Sequence, residues 1–323
     1  MNGASEPSPG RKVGTPGGRV ALSAEVKQAL ADGRPVVALE STILCHGLPF
    51  PSNLETHRAA DEAVRKEGAV PALVAVVEGV ARAGFSGTEV ESLARAGRSV
   101  RKATTRDLGL LAARRQSGAT TVAATMAIAA AAGIRVFATG GIGGVHRGVT
   151  ETLDVSADLL ELSRTRVVVV ASGAKAILDL PRTLEALETL GVPVYGFRTA
   201  DFPAFWVRGS GLPLEDRCDD AGEVARAVLA HWAWPSAGGV LVANPVPVEA
   251  ALAREDVGGA IDRSLRAAQA SGITGKAVTP FLLARLAEET GGRTLVANRA
   301  LIVSNAAVAA RISAALAAAR PGT

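Results

Sequence analysis

Three features of this 323-residue chain predict a three-layer α/β/α fold around a largely parallel central sheet. RVVVVA (166–171) is a continuous apolar run with no alternation, the pattern of a strand buried on both faces. Other short apolar runs alternate with stretches of helical periodicity along the chain, which calls for parallel strands with helices on both sides. No Pro/Ser-rich linker and no solenoid-like repeat divides the sequence. The expected organisation is a flexible tail over 1–18, rich in Gly, Pro and Ser, and a single domain over 19–318.

Taken in order, ALSAEVKQALADG (21–33) reads as a first helix stopped by Gly33, and PVVALE (35–40) as a strand ending on Glu40. STILCHGLPFPSN (41–53), with its prolines and glycine, reads as loop, after which Asn53 is placed to cap a helix running to Gly68. PALVAVVEG (71–79) is the next strand, and Ser86 opens the helix SGTEVESLARAG. The charged stretch 100–118, including Lys102 and Arg106, has no clear periodicity. ATTVAATMAIAAAAG (119–133) reads as a buried helix before the strand IRVFATG (134–140). GGIGGVHRG (140–148) is a glycine-rich turn, and 150–165 is helix-forming. After the valine run, AKAILDL continues with helical spacing, so Lys175 is expected in a first helical turn. VPVYGF (192–197) and GGVLVANPVP (238–247) supply strands. Helices are expected over EVARAVLAHWAW, from about Val248 to Ala270, over TPFLLARLAEETGG and at the Ala-rich end.

Composition narrows the class of function. Hydrophobic residues make up 48% and charged residues 20%, as in a soluble globular protein with an aliphatic core. Only 3% are aromatic, which argues against stacking on single-stranded nucleic acid. The net charge of +4 is scattered, leaving no basic footprint for DNA or a membrane surface. The apolar stretch 119–144 is broken by Gly133 and Arg135 and reads as core rather than membrane span. Cys45 and Cys218 are far apart and form no C-x-x-C pair. A disulfide framework or zinc site is not indicated, and a cytoplasmic location fits.

Several residues stand where chemistry is possible. Lys175 follows the end of a central strand, the place where open α/β sheets bind ligands. An adjacent helix start and an apolar strand would both favour the neutral, nucleophilic amine that Schiff-base chemistry needs. The plainer reading is a lysine that snorkels to solvent or binds phosphate, and the stretch alone favours it. Glu40 ends another strand, so parallel pairing would bring both groups to one rim as acid/base and nucleophile; a capping or Arg-paired carboxylate is the alternative. GGIGGVHRG does not match G-x-G-x-x-G in frame and is weak evidence for a nicotinamide cofactor; His146 and Arg147 there read as phosphate donors or as polar loop groups. Asp154 and Asp158, four apart, would share a helical face with the Ser156 hydroxyl between them, suiting Mg²⁺ or Mn²⁺, although acids at a helix N-terminus need no metal. Lys102 with Arg106 reads as a phosphate contact or as solvated surface.

ALESTILCHGLPFPSN (38–53), GATTVAATM (118–126), FATGGIGGVHRG with ETLDVSADL (137–159), SGAKAILDLP, GGVLVANPVP, VTPFLLARLAEETGGR and the Asn298 region together resemble the pseudouridine-5′-phosphate glycosidase family, over about 21–313. The resemblance implies reversible cleavage of a C–C glycosidic bond to uracil and ribose 5-phosphate. It implies Lys175 as the Schiff-base nucleophile, Glu40 as proton donor, and Asp154 as ligand to one divalent ion, Mn²⁺ with Mg²⁺ as the other candidate. Lys102, Val122, Ser156, Ala157 and Asp158 match substrate-binding positions, and His146 and Asn298 fall in supporting motifs. A homotrimer acting on pseudouridine 5′-phosphate, with no nucleic-acid or membrane partner, is implied in the same way. Cys45 stands where threonine is usual, Glu78 where aspartate is, and Ala176 where serine follows the lysine; these changes bear on substrate tuning. The alternatives are a C-glycosidase for another modified nucleotide and a phosphosugar-binding regulator without turnover.

Overall fold

The computed structural model describes residues 20–273 and 278–319, so the tail expected over 1–18 lies outside the described residues. The chain opens with β1 (Ala21–Leu22) and α1 (Ala24–Ala31), where Ser23 caps the helix by accepting from Val26 N. β2 (Val36–Glu40) leads through a single π-helical turn, Ile43–Gly47, into α2 (Ser52–Lys66). The expected loop therefore contains an ordered turn. Asn53 is not the cap: it lies inside α2, and its amide donates to the Leu44 and Ala94 carbonyls at 2.7 and 2.9 Å. β3 (Val70–Val77) folds back as a hairpin onto β4 (Val80–Ala83), a strand the sequence did not announce. α3 (Gly87–Ala96) starts in a capping box between Ser86 and Glu89.

The charged stretch resolves into β5 (Arg101–Ala103), α4 (Leu108–Arg114) and β6 (Gly118–Thr120). α5 (Val122–Ala131) and β7 (Val136–Ala138) follow. The helix expected over 150–165 is split into α6 (Val149–Thr152) and α7 (Ala157–Arg164), because Leu153 adopts a left-handed conformation, φ +53°. Asp154 and Asp158 consequently do not share a helical face.

β8 (Val168–Ala171) is the valine strand, but α8 (Leu180–Thr189) begins only at Leu180, with Asp179 as its cap. Lys175 is thus in irregular backbone at the start of a turn and not in a first helical turn. The cause is tertiary. Gly173, at φ +71°, is wedged against the Pro203 carbonyl, and 173–174 pair as short bridges with Ala204 and Ile142. β9 (Val194–Phe197), β10 (Arg217–Cys218), α9 (Ala221–Trp232) and β11 (Val240–Ala243) come next. Residues 248–250 form a 3₁₀ turn, so the long helix α10 (Arg254–Ala270) starts later than expected. α11 (Val278–Glu289) and α12 (Arg293–Ala318) end the fold.

The sheet runs β1-β4-β3-β2-β7-β8-β11-β9-β10, with β6 on β3 and β5 on β6. Pairing is parallel from β3 through β2, β7, β8, β11 and β9 to β10; β4 and β6 run antiparallel to β3. Alternate residues of each central strand enter opposite cores. Val36, Ala38, Val169 and Ala171 pack with α1, α5, α7, α10 and α11, while Val37, Leu39, Val168 and Val170 pack with α2, α9 and α12. Both faces are dry, which is why these strands read as unbroken apolar runs. α12 is long and apolar enough to cross a membrane by composition alone, but half of that window is buried here. Its Asn305 donates to the Thr139 carbonyl at 2.8 Å and accepts from Asn244 at 2.9 Å, tying the helix to the carboxyl ends of the central strands.

Candidate active site

Parallel β2, β7 and β8 deliver their carboxyl ends to one rim, and a cleft opens there. Glu40, the last residue of β2, and Lys175, four residues past β8, both line it, together with Lys102 and Asn298. The rim predicted from strand direction therefore exists.

Lys175 is half-buried and held by its backbone. Its N–H donates to the Ile142 carbonyl at 3.1 Å, and Ile142 N–H donates to Gly173 at 3.1 Å. The glycine-rich turn is thus the shelf on which the lysine segment rests. Its glycines serve close packing: a side chain at Gly143 would collide with Ser156 and Asp158, and one at Gly144 with Thr183.

Glu40 is only 7% exposed, and its carboxylate accepts from the Thr139 hydroxyl. Burial pushes its pKa above the ordinary carboxylate range, against the opposing pull of the Lys175 charge and the Thr139 hydrogen bond. The Asp158 charge adds to the rise, and Lys102 opposes it. A buried acid inclined to hold its proton, in a cleft with an amine, is equipped for proton donation.

The remaining expected residues are placed beside this cleft rather than in its lining. Asp158 is buried, and its two carboxylate oxygens accept from Ala123 N at 2.9 Å and Gly143 N at 2.8 Å, so it clamps the start of α5 to the glycine turn. Ser156 caps α7 by accepting from Asp158 N, Ala157 is exposed as the first residue of that helix, and Val122 is the buried first residue of α5. Asp154 is half-buried with Oδ2 3.9 Å from His146 Nδ1, and the His146 N–H donates to the Asp154 carbonyl at 3.0 Å. Among the described residues, no group of three His, Cys, Asp or Glu side chains converges as a metal cage. Asp154 is the carboxylate left open, since both oxygens of Asp158 are engaged. That fits a divalent ion held by one side chain and several waters.

Sequence reasoning missed His46, Thr139, Arg98 and Phe205, all of which line the cleft. His46 lies on the π-helical turn and Thr139 at the strand end of FATGG; either could have been found by asking which polar residues follow a parallel strand. Phe205, at φ +64°, lays its ring against Gly141, where any side chain would collide with it.

Comparison with known proteins gives the family. Residues 25–315 match the model of a family described as indigoidine synthase A like protein. The chain is 52% identical to the pseudouridine-5′-phosphate glycosidase of Sorangium cellulosum, covering 92% of this chain and 93% of that one. It is 51% identical to the protein of the same name from Escherichia coli K12, covering 90% and 94%. Among solved structures, the prealnumycin C-glycosynthase AlnA in complex with ribulose 5-phosphate superposes with a TM-score of 0.86 at 43% identity, covering 93% of this chain and 97% of that one. An indigoidine synthase A-like protein from Thermotoga maritima gives 0.84 at 37% identity, with the same coverage. Sharing a matched span of nearly the whole sheet and its cleft, this chain belongs to the indigoidine synthase A-like family.

Proposed function

We propose that the chain is a pseudouridine-5′-phosphate glycosidase, cleaving the C–C glycosidic bond reversibly to uracil and ribose 5-phosphate. The observation that carries the reading is the pairing of Glu40 and Lys175 in one cleft, close enough for the lysine charge to act on the carboxyl. The relatives' names supply the substrate.

Because the base is bonded through carbon, protonating a ring nitrogen does not release it. The Lys175 amine Nζ attacks C1′ of the ribose and the C1′–O4′ bond breaks, the ring oxygen taking the Glu40 proton. The resulting C1′ ammonium gives a proton to the Glu40 carboxylate, which delivers it to C5 of uracil, and the nitrogen lone pair so freed forms the C1′=N⁺ iminium as the C1′–C5 electron pair returns to the base. Water adds to the iminium, and loss of the amine gives ribose 5-phosphate. No electrons are gained or lost overall. Lys102 and Arg98 give the cleft a cationic side suited to the phosphate. Val122, Ser156, Ala157 and Asp158, at two adjoining helix starts, support the substrate side, and His146 supports Asp154. Asp154 would hold the divalent ion, Mn²⁺ or Mg²⁺, which when bound supplies charge neutralisation near the sugar phosphate.

The same reading includes a homotrimer, for which the exposed apolar side chains Leu153 (81% exposed), Val155 and Leu160, close in the chain, offer surface for self-association. A cytoplasmic setting is supported by two free, buried cysteines.

The test is incubation with pseudouridine 5′-phosphate and Mn²⁺, assayed for uracil and ribose 5-phosphate, with borohydride trapping of the imine. Lys175→Ala should abolish both product and adduct; an adduct on another lysine would overturn the role of Lys175. The likeness to a C-glycosynthase favours a second reading, the same bond chemistry with a different base. Competition among modified nucleotides separates the two.

A further inference from the structure

The two ring nitrogens of His46 have different surroundings. Nε2 lies 2.8 Å from the Val100 carbonyl oxygen, which can only accept, so Nε2 carries a proton. Burial holds the imidazole below the ordinary histidine range, opposed by the Val100 hydrogen bond and reinforced by Lys102 and Arg98. In the neutral ring Nδ1 is then a bare acceptor. Among the described residues nothing donates to it, and the ring lines the cleft that holds Glu40 and Lys175.

The ring is also rigidly presented. It sits on the π-helical turn that follows β2, pinned by Thr42 Oγ1 donating to the Thr120 carbonyl at 2.8 Å and by Asn53 Nδ2 donating to Leu44. Asn298 offers the opposite polarity. Its carbonyl oxygen is taken by the Trp206 indole N–H at 2.7 Å, leaving the amide N–H groups as what it can give a ligand. The cationic side chains of the cleft, Lys102, Arg98 and Lys175, can only donate.

We propose that His46 is a specificity-determining residue that accepts a hydrogen bond from an N–H of the departing base, selecting bases that carry N–H beside C=O. The inference rests on the C-glycosidase reading of the cleft. Uracil attached through C5 keeps both ring N–H groups, so it offers this acceptor a partner. An aglycone without N–H would cover Nδ1, shut it off from water and leave it unpaired, and a site built around a hydrogen bond rejects a ligand that cannot make it.

The test compares wild type, His46→Leu and His46→Asn on pseudouridine 5′-phosphate and on its N1-methyl and N3-methyl derivatives. Leucine keeps bulk without an acceptor; asparagine keeps a side-chain acceptor. Wild type should lose roughly 10- to 100-fold in kcat/KM on one of the two methyl derivatives. His46→Leu should fall by a similar factor on the parent and no longer distinguish parent from that derivative, while His46→Asn recovers part of the discrimination. KM for ribose 5-phosphate in the reverse reaction should be unchanged in both variants. If wild type processes none of the three substrates, the glycosidase reading falls and the inference with it. If wild type processes the parent but treats both derivatives alike, or His46→Leu discriminates as wild type does, the role given to His46 alone is overturned.

Discussion

Trp206 and Asn298 share one hydrogen bond, 2.7 Å from indole Nε1 to amide Oδ1, and it sets the polarity of a cleft wall. An indole can only donate, so the asparagine cannot flip without leaving the indole N–H unpaired in a residue that is 1% exposed. Trp206→Phe keeps most of the buried ring and removes the donor. Turnover of pseudouridine 5′-phosphate should fall about tenfold, with the loss expressed in KM for uracil in the reverse direction rather than in KM for ribose 5-phosphate. Equal effects on both substrates would show that Trp206 acts on packing alone.

Glu40 makes a separate prediction about stability. Its ordinary pKa is near 4.5, and in the fold burial raises it. Below the ordinary value the carboxyl is protonated in both folded and unfolded chains. As pH rises through that value the unfolded chain ionises first, so wild type loses stability until the raised folded value is passed. Glu40→Gln lacks this slope. It should be inactive, yet more stable than wild type at neutral pH, with the difference disappearing as pH falls below the ordinary value near 4.5. Thermal unfolding against pH measures it; a difference that does not vary with pH would mean Glu40 titrates alike in both states.

Asp158 is expected to matter for the scaffold. One carboxylate satisfies Ala123 N and Gly143 N, joining the start of α5 to the turn on which the Lys175 segment rests. Asp158→Ala leaves two buried N–H groups without partners and should cost about 3 kcal/mol in chemical denaturation. Asp158→Asn, which keeps one acceptor oxygen, should cost less. A loss of activity in Asp158→Ala with no loss of stability would instead point to direct contact with substrate.

The sheet was legible because strands buried on both faces cannot alternate: the valines at 168–171 go by turns into two apolar cores and leave no polar mark. The rim pairing of Glu40 and Lys175 followed from strand direction alone. What escaped depends on tertiary pairing. AKAILDL has helical propensity, but Gly173 and the bridges of 173–174 to Ala204 and Ile142 hold the chain outside a helix, and Lys175 opens a turn, Leu178 N–H to its carbonyl, before Asp179 caps α8. Likewise Leu153 in a left-handed conformation separates Asp154 from the helix that carries Asp158. His46 went unseen because a single π-helical turn between a strand and two prolines has no period to detect.

That separation of Asp154 from Asp158 sharpens what a metal can find here. With Asp158 engaged by two backbone N–H groups, a divalent ion in the proposed site would take Asp154 as its carboxylate, with His146 Nδ1 3.9 Å from that side chain, and would complete its shell with water or substrate. Such a site would bind weakly and be easily stripped. EDTA should lower turnover and added Mn²⁺ restore it. Asp154→Asn should raise the Mn²⁺ concentration needed for half-restoration by roughly tenfold or more, and the electron paramagnetic resonance signal of free Mn²⁺ should show the same loss of binding without reference to activity. Asp158→Asn should leave Mn²⁺ binding near wild type. If instead the Asp158 variant loses the ion and the Asp154 variant keeps it, the buried clamp would have to open to ligate, and the assignment of the metal to Asp154 would be wrong.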